Sequence, residues 1–253
     1  MKRLLDEESE IQESQYKFPY HYLPHKTKEG FSIGRFWSWG FRYYVGLEYV
    51  IEKLDNVNFE TLIDIGCGDG RFLYLLADKY NEKNLTGVDV SSSALSFARA
   101  FTDNIDFIEG NIIKDDLSQQ YDIATLIEVL EHIPPNELPK FLEAVSEVLK
   151  NKGKVVITVP HENKSVNDKH YQHFTQSELR GTLTEVFGKI KIEPFDRQSR
   201  LFWLITKVLG INGNNYLVTN ETINNWVYSF YKKFLLEVDS ESNCERLFAY
   251  CEI

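Results

Sequence analysis

Leu62-Ile63-Asp64-Ile65-Gly66-Cys67-Gly68-Asp69-Gly70-Arg71-Phe72 decides how this chain folds. An apolar run carrying an acidic residue leads into a G-x-G-x-G loop, and a helix-compatible stretch follows. Such a strand–glycine loop–helix unit lets backbone N–H groups and a helix N-terminus approach a polar ligand closely, because glycine has no Cβ in the way. A dinucleotide fingerprint, G-x-G-x-x-G, would need its third glycine where Arg71 stands, which argues against NAD. No G-x-x-x-x-G-K-[ST] string occurs, so a Walker-type phosphate loop is excluded.

Working outward, Asn84-Leu85-Thr86-Gly87-Val88-Asp89-Val90-Ser91 reads as a second strand. Asp89 sits at its carboxyl end, where a carboxylate accepts hydrogen bonds from both ribose hydroxyls. Two further strings follow in order, Phe107-Ile108-Glu109-Gly110-Asn111-Ile112 and Tyr121-Asp122-Ile123-Ala124-Thr125-Leu126-Ile127-Glu128-Val129-Leu130-Glu131-His132-Ile133-Pro134. With these four motifs the chain resembles the class I S-adenosylmethionine (SAM) dependent methyltransferases, and within them the ubiquinone O-methyltransferase-like group. The resemblance implies a Rossmann-like three-layer α/β/α sheet of seven strands and SAM as cofactor, with S-adenosylhomocysteine (SAH) as product. It implies cofactor contacts from Asp64, Gly66, Gly68, Gly70, Asp89, Val90, Asn111, Ile112 and Glu128. In the family an Asp stands where Asn111 is, beside the adenine; Asn still bonds the adenine edge.

The net charge of −10, from 28 basic and 38 acidic residues, argues against broad phosphate-backbone binding and so against nucleic acid as partner. Cys67, Cys244 and Cys251 form no C-x-x-C pair and read as reduced thiols of a cytoplasmic protein. The most apolar later stretch, Leu201 to Leu209, is nine residues long and contains Lys207, so no membrane span is expected.

Alternating apolar and amphipathic stretches over 62–195 predict a parallel sheet covered by helices. Strands are predicted near 61–65, 85–89, 106–108, 122–127 and 154–159. Helices are predicted over 70–80, 91–101 and 136–150, the last stopped by Asn151-Lys152-Gly153. Two final strands, 189–195 and 246–253, form an antiparallel hairpin at the sheet edge in the resembling family. Residues 1–54 form a helical and lid-like extension before the methyltransferase domain at 55–253, which carries a helical insertion at 197–240. Between Tyr16 and Tyr49 lie twelve of the 35 aromatic residues. They either pad a helix near 35–54 or form a lid over cofactor and substrate, the latter suiting Tyr20-His21-Tyr22-Leu23-Pro24. The insertion, with Phe202, Trp203, Trp226, Tyr228, Phe230 and Tyr231, builds either a substrate pocket or a homodimer contact.

Three histidine-bearing strings reach the carboxyl edge of the sheet: Glu128 to His132, His161, and His170-Tyr171-Gln172-His173-Phe174-Thr175. Thr175 or Ser177 is placed to cap the next helix. A hydroxyl acceptor needs a base, and histidine matches that task near neutral pH. His132 is the first candidate, His170 and His173 the second, against a structural role for His132 in bonding nearby backbone. No metal ligands are assigned. A divalent cation on Glu128, Glu131, His132 and His170 is the alternative, against Glu128 lining the cofactor pocket and Glu131 being solvated or structural. Arg35 and Arg42 are candidates for the methionine carboxylate.

The predicted activity is methyl transfer to a hydroxyl or amine of a small polar metabolite, such as a sugar or glycan precursor or a phosphorylated amino alcohol. One alternative is metal-assisted 2′-O-methylation of an RNA 3′ terminus, since the E-x-x-E-H string and the later histidine resemble those enzymes. Another is a non-catalytic partner that keeps the cofactor fold.

Overall fold

The computed structural model describes residues 25–26, 31–32 and 37–253, except 103, 116, 118, 167 and 211–219. The chain divides into two compact units, one holding Val57–Glu193 and Arg246–Ile253, the other Phe18–Asn56 and Pro194–Glu245.

The first unit is built on a sheet. Its strands are β1 (Thr61–Ile65), β2 (Asn84–Asp89), β3 (Asp106–Glu109), β4 (Tyr121–Ile127), β5 (Leu149–Pro160), β6 (Gly188–Arg197) and β7 (Cys244–Glu252). They lie in the order β3-β2-β1-β4-β5-β7-β6. β1 pairs in parallel with β2 (Ile65 opposite Val88) and with β4 (Asp64 opposite Thr125), while β7 runs antiparallel to β5. The strand order therefore reverses between β1 and β4, and the ligand crevice of an open α/β sheet lies at the carboxyl ends of such a pair.

Four crossover helices connect these strands: α2 (Arg71–Lys79), α3 (Ser92–Phe101), α4 (Leu138–Glu147) and α5 (Gln176–Thr184), with α1 (Trp37–Leu54) preceding them. Each buries one stripe at i, i+3, i+4 spacing, such as Phe72, Leu73 and Leu76 on α2 or Leu138, Phe141, Leu142 and Val145 on α4. A fully buried Leu or Phe contributes roughly 1.5–3 kcal/mol, so these stripes hold the helices on the sheet. Ser91 caps α3 by accepting the Ala94 N–H at 3.1 Å. Of the two predicted caps for α5, Thr175 is the one used, in a reciprocal box with Glu178.

One predicted boundary is wrong. The helix predicted to run to residue 150 ends at Glu147, and β5 has begun by Leu149, which pairs with Tyr121. Gly153 is a bend inside that strand, not a helix stop. Lys152 takes φ 65° there, and a Cβ on Gly153 would sit 2.7 Å from the Lys150 carbonyl oxygen. Lys150 Nζ reaches back to Asp122 at 2.9 Å, an attraction that favours the strand.

The second unit contains α1, α6 (Arg200–Gly210) and α7 (Glu221–Phe234), and a short hairpin pairing His25–Lys26 with Phe31–Ser32. Phe41, Tyr44 and Tyr49 of α1 are buried, and Tyr49 stacks on Phe195 with ring centroids 4.7 Å apart. Those three aromatics are core. Tyr43 on the same helix is half-buried; Tyr16, Phe18, Tyr20, Tyr22 and Phe36, and with them the lid segment Tyr20 to Pro24, lie outside the described residues. Among the described residues no helix is long and apolar enough to cross a membrane, and the three cysteines are free and buried.

Candidate active site

The glycine loop follows the end of β1. Gly66, Gly68 and Gly70 all have positive φ (75°, 55° and 73°), the backbone region that excludes most side chains. At Gly70 there is no room either: a Cβ would lie 2.9 Å from Ala98 Cβ and from the Phe107 ring.

The loop departs from expectation in one respect. Its N–H groups do not form an open cradle of donors. Gly66 and Cys67 donate to the Val88 carbonyl, Gly70 to the Cys67 carbonyl, and Gly68 to Asp89 Oδ2 at 2.8 Å. What the loop offers a ligand is a backbone surface without side chains, locked to the tip of β2.

Asp89 is the clasp of that arrangement. Its Oδ2 takes the Gly68 N–H and its Oδ1 the Ser91 N–H, both at 2.8 Å. The two bonds fix the orientation of the carboxylate. Val90, next in sequence, leaves 57% of its surface exposed, an apolar surface beside the clasp. Ile112 is buried. Asn111 Oδ1 accepts the Ile113 N–H at 3.0 Å, so its amide NH₂ is the group turned to other partners.

Asp64 sits inside β1, 2% exposed, with Oδ1 accepting the Thr125 hydroxyl at 2.6 Å. Burial raises its pKa to about 7; the Thr125 bond opposes the rise and the Asp89 charge adds to it. Asp64 is thus a buried acid whose ionised form gains from any nearby cation. Arg42, a candidate for the methionine carboxylate, belongs to the second unit and is committed there to Asp196 and Glu245. Arg35 lies outside the described residues.

Beyond β4 the chain turns through Glu128 at φ 56°, unusual for a residue with a side chain. The turn is held because the Glu128 N–H donates to the Thr158 carbonyl at 3.0 Å. Leu130–His132 then forms a single 3₁₀ turn. Glu128 thus precedes the turn in a left-handed conformation, and the expected i, i+3, i+4 helical face does not form. The segment 169–174 docks on this turn through main-chain bonds, Tyr171 N–H to the Glu131 carbonyl and Phe174 N–H to the Pro160 carbonyl. His161 is buried at the end of β5 and its Nδ1 accepts the Asn163 N–H.

That docking brings the histidines together. His132 Nδ1 lies 2.8 Å from the Lys169 carbonyl, which fixes the proton on Nδ1 and the lone pair on Nε2. His173 Nδ1 lies 2.7 Å from the Lys164 carbonyl, so its Nε2 is the acceptor for His170 Nδ1, also at 2.7 Å. The lone pair of His170 is then on Nε2. The His132 and His170 rings meet edge to face, centroids 4.8 Å apart. Burial lowers the pKa of all three, that of His170 to about 3 with help from His132 and His173. All three are neutral at pH 7. Both ring nitrogens of His173 are engaged within the protein, so it orients His170 and has no nitrogen left for a substrate.

Of the readings offered for Glu131, the solvated one is contradicted: it has 0% exposure, and neither carboxylate oxygen has a hydrogen-bond partner. Burial, then the charge of Glu128, push its pKa well above the carboxylate range. One ligand atom each from Glu131, His132 and His170 lie within 4.8 Å of one another, a grouping able to hold a cation. A buried orphan carboxylate beside two imidazoles is the donor set such an ion needs, and the Lys169 carbonyl that orients His132 is a typical second partner of metal-bound histidine.

Comparison with known proteins agrees with this geometry. Residues 62–153 match the family model described as a methyltransferase domain. A ubiquinone biosynthesis O-methyltransferase of Vibrio atlanticus is 29% identical over 127 residues, 46% of this chain and 50% of that protein. The chain spans about half the length of the first curated relatives it matches. A SAM-dependent methyltransferase of Archaeoglobus fulgidus superposes with a TM-score of 0.55 at 21% identity, covering 82% of this chain and 94% of that one. The N-methyltransferase NodS of Bradyrhizobium japonicum, solved with SAH, gives 0.56 at 15% identity, covering 84% and 87%. Residues 62–153 thus match a methyltransferase domain, and the chain has the fold of solved SAM-dependent methyltransferases.

Proposed function

We propose that the protein moves a methyl group from SAM to a hydroxyl or amine of a small polar metabolite, of the class of a sugar or glycan precursor or a phosphorylated amino alcohol. The observation that carries this reading is Asp89, a carboxylate at the tip of β2 held in place by the glycine loop itself. Asp89 would take the ribose hydroxyls, Val90 and Ile112 the adenine faces, and Asn111 the adenine edge. The buried acid Asp64 would face the methionine ammonium, and Glu128 would line the pocket. The acidic balance of the chain favours a small acceptor over a nucleic acid.

SAM supplies a methyl group on a sulfonium, already activated for in-line displacement by the acceptor's lone pair. The protein's task is then to hold the acceptor in line and remove its proton. His132 is the better base: its Nδ1–H is anchored to the Lys169 carbonyl and its Nε2 carries the lone pair. His170 is depressed further and is the weaker base. For an amine acceptor the same neutral imidazoles keep positive charge away from a nitrogen that must attack uncharged.

The orphaned carboxylate of Glu131 favours a second form of this reading, in which Glu131, His132 and His170 hold a divalent cation. Such an ion would lower the pKa of an acceptor hydroxyl and orient it. Acceptor assays with radiolabelled SAM separate the readings. Methylation of polar metabolites without added metal supports the histidine base, and activity abolished by chelation and restored by Mn²⁺ or Mg²⁺ supports the cation. Methyl incorporation into a small-RNA duplex and into no metabolite pool defeats the small-acceptor reading.

A further inference from the structure

The helices of the second unit turn apolar residues outward. Among the described residues eleven large hydrophobic side chains are exposed, and six of them stand on α6 and α7: Leu201, Trp203, Leu204, Val208, Trp226 and Phe234. Scattered singly they would need no explanation; gathered on two helices they mark a contact surface. We propose that α6 docks the protein on an anionic lipid surface, lying in the plane of the headgroups with its apolar strip toward the acyl chains.

The helical period sets out the side chains of α6. Leu201, Leu204 and Val208, at i, i+3 and i+7, share one face and are 50–67% exposed. Phe202 and Thr206 are buried instead, the Phe202 ring 5.0 Å from that of Tyr231. The helix thus buries a threonine while exposing three aliphatic side chains, an arrangement that packing within the chain does not explain. At about 100° per residue, Arg200 and Lys207 fall about 20° apart, in a row beside Leu204. Both are exposed. Lys207 Nζ reaches to 4.6 Å from the centre of the exposed Trp203 indole. α7 repeats the pairing of aromatic and lysine. Trp226, Phe230 and Phe234 form a ladder with centroids 6.0 and 5.3 Å apart, and Lys233 Nζ lies 5.2 Å from the Phe234 ring centre.

Charge selects the occupant. Residues 197–220 contain Arg197, Arg200 and Lys207 and no Asp or Glu, in a chain whose net charge is −10. Glu245, which lies beside Arg200 and Trp203, is engaged by Arg42. An aliphatic strip bordered by a basic row and an indole is the make-up of an interfacial helix. The strip enters the acyl boundary, the indole sits at headgroup level, and the basic side chains reach the lipid phosphates. A two-fold contact with a second copy would instead set Arg200 and Lys207 against their equivalents, with no carboxylate on the helix to offset them. With 11 residues α6 is about 16 Å long, well short of the ~30 Å hydrocarbon core, so it lies on a bilayer and does not cross it.

The inference concerns docking and stands apart from methyl transfer, so the two fail separately. The full chain is mixed with vesicles of phosphatidylcholine alone and of phosphatidylcholine with an equal share of phosphatidylglycerol. Flotation and tryptophan fluorescence read the bound fraction. Association with the anionic vesicles is expected, at least tenfold stronger than with the neutral ones and reduced by high salt. Val208→Asp and Lys207→Glu should each weaken it tenfold or more. SAH affinity and thermal unfolding should stay unchanged, because both side chains are exposed. No association with anionic vesicles, equal association with neutral ones, or binding indifferent to either variant overturns the proposal. So does a dimer, seen by light scattering, that Val208→Asp dissociates.

Discussion

Replacing Asp64 by Asn should invert part of the protein's dependence on pH. Asp64 is fully buried and its pKa stands at about 7 in the folded chain against 3.8 for an ordinary Asp side chain. The difference is about 3 units, which at 1.36 kcal/mol per unit amounts to about 4 kcal/mol. The sign follows from proton counts. Below pH 4 both states are protonated and the acid costs nothing. Between pH 4 and 7 the unfolded chain has released its proton and the folded one retains it, so stability falls by up to about 1.4 kcal/mol per pH unit and levels off above 7. Asn is an uncharged isostere that still accepts the Thr125 hydroxyl bond. Asp64→Asn should therefore exceed the wild type by about 1 kcal/mol at pH 4.5 and by about 4 kcal/mol at pH 8. Urea unfolding at half-unit steps from pH 4.5 to 8.5 measures this. The histidines of the site, whose pKa values burial lowers, work in the opposite direction, but they are common to both proteins and cancel in the difference. A difference independent of pH, or a wild type that gains on the variant as pH rises, refutes the burial argument.

Binding of SAH below pH 7 should release protons, because the ligand's ammonium favours ionised Asp64; calorimetry in two buffers of different ionisation enthalpy reads the release, and Asp64→Asn should abolish it. Gly70→Ala should lower stability by roughly 1–3 kcal/mol, since it combines φ 73° with contacts at 2.9 Å; thermal unfolding reads the shift. Glu131→Gln should raise stability at pH 8 if Glu131 is a buried orphan acid, and should instead abolish Mn²⁺ binding, read by electron paramagnetic resonance, if it is a ligand. His173→Phe should lower kcat with little change in the KM for SAM, since His173 only orients His170.

Much of the sheet was legible because its strands are short apolar runs ending in Asp or Gly, and because three glycines at alternate positions predict positive φ. The cap at Thr175 was legible because Glu178 stands three residues on. The end of α4 was not, since Lys-Asn-Lys-Gly resembles a helix stop and only the pairing of Leu149 with Tyr121 turns it into strand. Nor was the burial of Glu131: a Glu beside a His and two prolines looks solvated, and what covers it is a segment nearly forty residues later, docked by main-chain bonds that leave no side-chain pattern. The Arg42–Asp196 and Arg42–Glu245 bonds, separated by 154 and 203 residues, were equally hidden. Local chemistry predicted the glycine loop and its strands; long-range docking brought the histidines together.

The central claim is that a glycine loop and Asp89 together hold an adenosyl ligand. Calorimetric titration of SAH into the wild type and Asp89→Ala tests it most directly. A single saturable site, weakened at least tenfold in the variant (about 1.4 kcal/mol), is the expected result. No binding to the wild type, or equal affinity in the variant, contradicts it.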